Sequence, residues 1–250
     1  MPRALLINPW IHDFAAYDFW ARPLGLLELG SALRAMGYDV SLMDGLDLYY
    51  PGRRELPRRR ENGSGRFDQT EVPKPAALKG IPRRFKRYGM PLSSFQTRLA
   101  SQPKPEVILV SSVMTYWYTG VAETIAEVRR IFPETPVILG GVYATLLPEH
   151  ARAHSGADMV AGGDFRVSLP PILRSLGLPG DFPDTEFFPA WDLYTKIPGA
   201  AIITGRGCPA RCPYCAAPVM YPRLSPRAGR GDRGDRAAGQ RLWGPGHRHF

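Results

Sequence analysis

The sequence predicts an α/β protein built on a doubly wound parallel sheet. Three observations carry that reading. Short apolar runs alternate with segments of helical spacing over about the first 175 residues. Glycine and serine gather where several of those runs stop, the places where an open sheet keeps its ligand loops. Hydrophobic residues make up 44% of 250, enough for a core, yet no run approaches the roughly eighteen apolar residues of a membrane helix.

Taken in order, Ala4-Leu5-Leu6-Ile7 reads as a buried strand ending at Asn8-Pro9, followed by an aromatic-rich loop to Pro23. Leu24 to Met36 then shows helical spacing, with Pro23 at its start and Gly37 at its stop. Val40 to Asp44 is a second strand, completing a strand–helix–strand unit. After the irregular stretch 49–105, Glu106 to Ser111 is a third strand and Val121 to Phe132 an amphipathic helix. Pro136 to Gly141 is a fourth strand ending in a glycine pair. Pro148 to His154 is a short helix, Asp158 to Val160 a fifth strand and Val167 to Leu176 a further helix. Five strands alternating with helices in this way indicate a flavodoxin-like domain over residues 1–177.

The formal charge of +9 is unevenly spread. Residues 53–104 hold fourteen Lys and Arg against four Asp and Glu. This basic insert, about 49–105, reads as a solvated arm folded over the domain or a surface for phosphates, nucleic acid or an acidic partner. Only Ser93 to Leu99 within it has helical spacing. Apart from Phe85 and Tyr88 it lacks the interleaved, exposed aromatics of a base-stacking platform, so nucleic acid is a disfavoured partner. Residues 178–199, rich in Pro, Asp and aromatics, read as a linker. Ala200 to Thr204 reads as a strand leading into the next segment, 200–227.

That segment contains every cysteine: Cys208, Cys212 and Cys215, spaced C-x₃-C-x₂-C. Three thiols fall one short of a closed zinc site and one short of a fully ligated four-iron cluster. A structural zinc turn and a disulfide with one thiol left over are the alternatives. So few cysteines fit a reducing cytoplasm, and the N-terminus has too short an apolar run for a signal peptide.

The spacing, with Thr204-Gly205-Arg206-Gly207 before it and Tyr214 within it, resembles the radical S-adenosylmethionine enzymes. The resemblance implies a 4Fe-4S cluster held by Cys208, Cys212 and Cys215. It also implies S-adenosylmethionine on the open iron, with Tyr214 beside its adenine. The segments Leu24-Gly25-Leu26-Leu27-Glu28-Leu29-Gly30 and Leu139-Gly140-Gly141-Val142-Tyr143 resemble the cobalamin-binding domain that some of these enzymes carry. Carried over by position, Ser111, Ser112, Gly140 and Gly141 would line the slot for the nucleotide tail of cobalamin. The D-x-H-x-x-G motif of many such domains is absent: the corresponding stretch is Asn8 to Phe14, where His12 is a replacement cobalt ligand to be tested. In that family the activity is radical methyl transfer or a related modification of a substrate the sequence does not name. The partner would be an electron donor such as flavodoxin or ferredoxin.

The tail 228–250 has six Gly, five Arg and no Ile, Val or Met. It offers too little to bury for the helix and second strand of a (β/α) barrel, and reads as out of frame or disordered. The barrel is therefore expected to be incomplete and no catalytic residue can be named. Three rival readings stand beside the radical enzyme. One is a catalytically inactive cobalamin-binding or ligand-free module. Another is a tRNA methylthiotransferase, disfavoured because residues 1–207 contain no cysteine, and the third is a nucleic-acid binder.

Overall fold

Five parallel strands form the centre of the molecule: β1 (Arg3–Asn8), β2 (Asp39–Asp44), β3 (Val107–Val110), β4 (Val137–Leu139) and β5 (Met159–Val160). They lie in the order β2-β1-β3-β4-β5, and each neighbouring pair is parallel. This is the flavodoxin-like order expected from the alternating pattern. The computed structural model describes residues 1–19, 22–53, 55–197, 199–201 and 203–226.

The strands read as continuous apolar runs because helices cover both sheet faces. Leu5, Ile7, Ile108, Val110, Val137 and Leu139 point to one face, and Ala4, Leu6, Val107, Leu109 and Ile138 to the other. The first face is covered by α2 (Leu92–Ala100) through Phe95 and Leu99, and by α3 (Tyr118–Ile131) through Val121, Ile125 and Val128. Two short helices, α4 (Gly141–Leu146) and α5 (Pro148–His154), join them there through Tyr143, Ala144 and Ala151. The second face is covered by α1 (Leu24–Ala35) through Leu26, Leu29 and Leu33, and by α6 (Phe165–Ser175) through Leu169 and Leu173.

Sequence spacing located α1, α2, α5 and α6 to within about two residues and started α3 one turn late. It missed α4 because a Gly-Gly pair reads as a turn. Gly141 does turn the chain, with φ +87°, and is also the first residue of the helix.

Much of the basic insert is folded onto the first face. Lys86–Tyr88 pairs antiparallel with Ile11–Asp13 on one side and Gln69–Glu71 on the other. Phe85, Tyr88, Met90 and Phe95 are buried. Among its cations, Arg53, Arg59 and Arg87 pair with Asp68, Asp18 and Glu123, Arg58, Arg60, Arg66, Lys79 and Arg83 are exposed, and Arg84 is exposed but 3.8 Å from Glu71.

Residues 178–197 strap the outer side of α1. Trp191, Tyr194 and Ile197 are buried against Leu27, the Ala190 amide donates to the Leu27 carbonyl at 3.1 Å, and the Ser31 hydroxyl donates to the Phe188 carbonyl at 2.6 Å. Gly30 allows the approach: a Cβ there would meet Leu6 at 3.1 Å and Leu193 at 3.2 Å.

The strand expected over Ala200–Thr204 is corrected. Ala200, Ala201, Ile203 and Thr204 belong to no strand, and Ile202 lies outside the described residues. The pairing comes instead from Gly205–Arg206, which runs antiparallel to Ser225–Pro226. An apolar run becomes a barrel strand only beside a parallel neighbour, and none among the described residues is offered to it. The tail 228–250 lies outside the described residues.

Candidate functional site

A cavity of about 320 Å³ opens at the carboxyl ends of β3, β4 and β5, on the face covered by α1 and α6. Its floor is apolar, from Leu109 and Ile138 of the sheet, Leu26 and Leu29 of α1, and Leu169 of α6. Its rim is built from the loops after three strands: Ser111-Ser112-Val113, Gly140-Gly141-Val142 and Gly163-Asp164. Ligands of open α/β sheets bind at this end because the loops there can vary while the strands hold them in place.

The rim is cross-braced. The Ser112 hydroxyl donates to the Gly140 carbonyl at 2.9 Å and accepts from the Tyr143 amide at 3.2 Å. The Val142 amide donates to the Ser112 carbonyl at 2.7 Å. Thr145 Oγ1 donates to the Gly141 carbonyl at 2.7 Å and accepts from the Gly163 amide at 2.8 Å, tying the β4 loop to the β5 loop. A Cβ on Gly141 would stand 2.4 Å from the Ser112 carbonyl oxygen, so only glycine fits. In contrast, a Cβ on Gly25 or Gly163 would meet nothing within 4 Å. Both glycines line the cavity, and both leave it room.

The structure thus brings Ser111, Ser112, Gly140 and Gly141 together at one rim, as their positions at strand ends implied. It also divides their work. Ser112 is spent on internal bracing, while Ser111 borders the cavity. Gly163, at a strand end, and Gly25, in the Leu24–Gly30 segment, were within the stretches the sequence pointed to; sequence reasoning missed the role of Thr145 and missed Arg22, which lines the cavity from the β1–α1 loop. In this fold the loop after β1 belongs to the ligand-binding end, so Arg22 could have been proposed. Arg206, Met220 and Tyr221 could not, because they reach the cavity from the far end of the chain.

Two neighbouring clusters frame the site. At the ends of β1 and β2, Asn8 Nδ2 donates to Asp44 Oδ1 at 2.7 Å and the Tyr194 hydroxyl donates to Asp44 Oδ2 at 2.6 Å. Burial and the adjacent Asp44 carboxylate push the Tyr194 hydroxyl well above its usual pKa, so it remains a donor. Under the opposite sheet face, His12 has Nδ1 3.1 Å from Thr119 Oγ1 and Nε2 2.8 Å from Glu123 Oε2. Arg87 donates to the other Glu123 oxygen at 2.6 Å. Burial opposes ionisation of Glu123, but His12 and Arg87 outweigh it and hold the carboxyl below its usual range. Both His12 nitrogens are engaged within the protein, so the residue does not fit the role of cobalt ligand.

Comparison with known proteins decides how this end of the sheet is read. Residues 93–170 match the B12 binding domain. The span runs from α2 into α6 and includes Ser111, Ser112, Gly140 and Gly141. The chain therefore contains a stretch similar to cobalamin-binding domains, and its flavodoxin-like parallel sheet agrees with that family's architecture. No curated protein matches the chain.

The cysteine loop is arranged differently. Cys208 and Cys215 are exposed, Cys212 is partly buried, and all three are free thiols. Among the described residues, no three His, Cys, Asp or Glu side chains are placed to hold a metal ion. The Cys215 amide donates to the Cys212 carbonyl at 3.0 Å, and Cys215 Sγ accepts from the Ala217 amide at 3.4 Å. Tyr214 is 89% exposed. The thiols as placed do not form a ligand set for a cluster, and Tyr214 does not border the cavity. Among the described residues, no helix is long and apolar enough to cross a membrane.

Proposed function

We propose that the α/β body binds cobalamin, with the nucleotide tail in the cavity at the strand ends. The observation that carries this reading is the rim itself. Gly141 is forced by backbone contact, Gly163 leaves open volume and Ser111 offers a hydroxyl, all within the matched span, while Gly25 of α1 leaves further room in the same cavity. The apolar floor suits a flat heterocyclic base, and the Ser111 hydroxyl at the rim suits the polar groups linked to it. Ser111 and the Gly140-Gly141 backbone would line the tail, Ser112 and Thr145 would hold the rim rigid, and Arg22 would face its anionic part. With both His12 nitrogens occupied, no described residue of the β1–α1 loop is set up as a ligand below the cobalt. Cobalamin, when bound, supplies a cobalt centre able to carry a methyl group.

Titration of the full chain with cyanocobalamin, followed by retention on gel filtration, tests the proposal. Gly25→Leu adds a side chain into open space without backbone strain and is expected to abolish retention while the chain keeps its melting temperature. Gly141→Ala is expected to weaken binding by about tenfold or more through the Ser112 clash. No retention by the unaltered chain at saturating cyanocobalamin would overturn the proposal.

The finer reading adds the cysteine loop. We infer from the C-x₃-C-x₂-C spacing that Cys208, Cys212 and Cys215 take up a 4Fe-4S cluster in a radical S-adenosylmethionine protein of a reducing cytoplasm. An electron donor and a substrate to be modified, as by methyl transfer, belong to the same reading. Because the three thiols are not gathered as a metal-binding group among the described residues, loading requires the loop to rearrange. Anaerobic reconstitution with iron and sulfide should produce broad absorbance near roughly 400 nm that is lost in Cys212→Ala. Equal absorbance in the variant would sink this part alone. A second reading is a cobalamin-binding module without catalysis, favoured by the B12-domain match, which ends at residue 170, before the cysteines. It predicts cyanocobalamin retention with no reconstituted cluster.

A further inference from the structure

The cysteine loop is pinned to the cavity at both of its ends. On one side Arg206 reaches α1 and pairs with Glu28, whose side chain has no exposed surface. On the other, Met220 and Tyr221 join the cavity lining, and the short helix α7 (Ala217–Met220) lies against α4, the helix that begins at Gly141. Arg206 also borders two further cavities, one beside Arg166 and Glu186 and one beside Leu24 and Gly207. It therefore stands where three open spaces meet, a poor place for packing to hold a segment and a good one for a charge to do so.

We propose that residues 205–221 form a lid on the cavity, latched by Arg206 on Glu28, and that lid closure links cavity occupancy to the conformation of the cysteine loop. The proposal rests on the cavity being a ligand site and adds how that site is regulated. Breaking a buried ion pair is costly: Arg206 leaves Glu28 only when water can replace it there, and that requires the lid to open. A ligand that fills the cavity touches Met220 and Tyr221 only when the lid is closed. It therefore shifts the lid toward the closed state by its differential affinity for that state. Cys208, Cys212 and Cys215 all lie between the two anchors, so any change that gathers the thiols works on the same opening equilibrium. Coupling through one shared equilibrium is reciprocal.

Hydrogen exchange on the full chain tests the latch without any ligand. The amides of Val219, Met220 and Tyr221 are hydrogen-bonded within the lid and report on it. Arg206→Ala and Glu28→Gln should each speed their exchange by at least about tenfold, while the amides of β1 and β3 stay protected. The double variant should be no faster than Arg206→Ala, because both changes remove one interaction. Unchanged lid exchange in the single variants, additive effects in the double, or equal loss of protection in β1 and β3 would each overturn the latch. A second arm uses cyanocobalamin: bound to the unaltered chain, it should slow lid exchange. Binding without that slowing would overturn the link between cavity and loop. If cyanocobalamin binds no variant and not the unaltered chain, the ligand reading fails and the exchange arm alone decides the latch.

Discussion

Asp47 is a residue whose surroundings oppose its charge. Burial is the main cause and nearby Asp44 adds to it, while the Tyr49 amide, Arg22 and Arg98 pull the other way; the carboxyl ends at about 6 against an ordinary 3.8. A folded pKa above the unfolded one means that the folded chain binds more protons between those two values. Stability contributed by the protonated form is therefore present at low pH and is lost as pH rises through about 4 to 6. The span corresponds to on the order of 2–3 kcal/mol. Asp47→Asn can keep the bond from the Tyr49 amide and should flatten the stability profile in that window, read by urea unfolding at pH 4.5, 5.5 and 6.5. A variant with the unchanged slope would show that another group titrates there. Single residues also mark the limit of sequence reading. Ser111 and Ser112 look equivalent in the chain, and only the fold turns one hydroxyl inward to Gly140 and leaves the other on the cavity.

At the scale of elements, two glycines in helical first turns make a contrast. Gly120, near the start of α3, lies under the β1–α1 loop, and a Cβ there would stand 2.3 Å from the Trp10 carbonyl oxygen. Gly25, near the start of α1, would place its Cβ in open space. Gly120→Ala should cost about 2 kcal/mol or more, because backbone must move on both sides. Gly25→Ala should be neutral or stabilise by up to about 1 kcal/mol through helix propensity. Thermal melts of the pair check both signs, and equal effects would refute the packing explanation. The helices themselves were legible because a periodic apolar stripe faces a sheet and little else determines it. The supposed strand at 200–204 was misread for the complementary reason. Apolar composition says that a run wants burial, and only a neighbouring strand makes it part of a sheet. The insert was less legible: Ser93 to Leu99 shows helical spacing, but Phe85 and Tyr88 read from sequence only as a stacking surface, and the buried partners of Tyr88, Met90 and Phe95, Ile11 and Trp10, lie more than seventy residues earlier, beyond any local pattern.

At the scale of the whole molecule, the doubly wound class of the sheet followed from alternation, since strand–helix–strand units admit few arrangements. The division of labour between its two faces did not. One face carries the folded insert with the His12–Glu123–Arg87 network, and the other carries α1, α6, the cavity and the latched cysteine segment. That division depends on where two irregular stretches, 49–105 and 178–226, come to rest, and the contacts that anchor them to the sheet and its helices, such as Tyr88–Ile11 and Trp191–Leu27, are long-range. The position of β1 has a further effect. It is the second strand across the sheet, paired to β2 at Ala4↔Val40 and to β3 at Ala4↔Val107. During synthesis its first edge can pair early, but its second waits until some hundred further residues have left the ribosome. For that interval Leu5, Leu6 and Ile7 present an open hydrogen-bonding edge, and the chain is then most exposed to mispairing with its own copies.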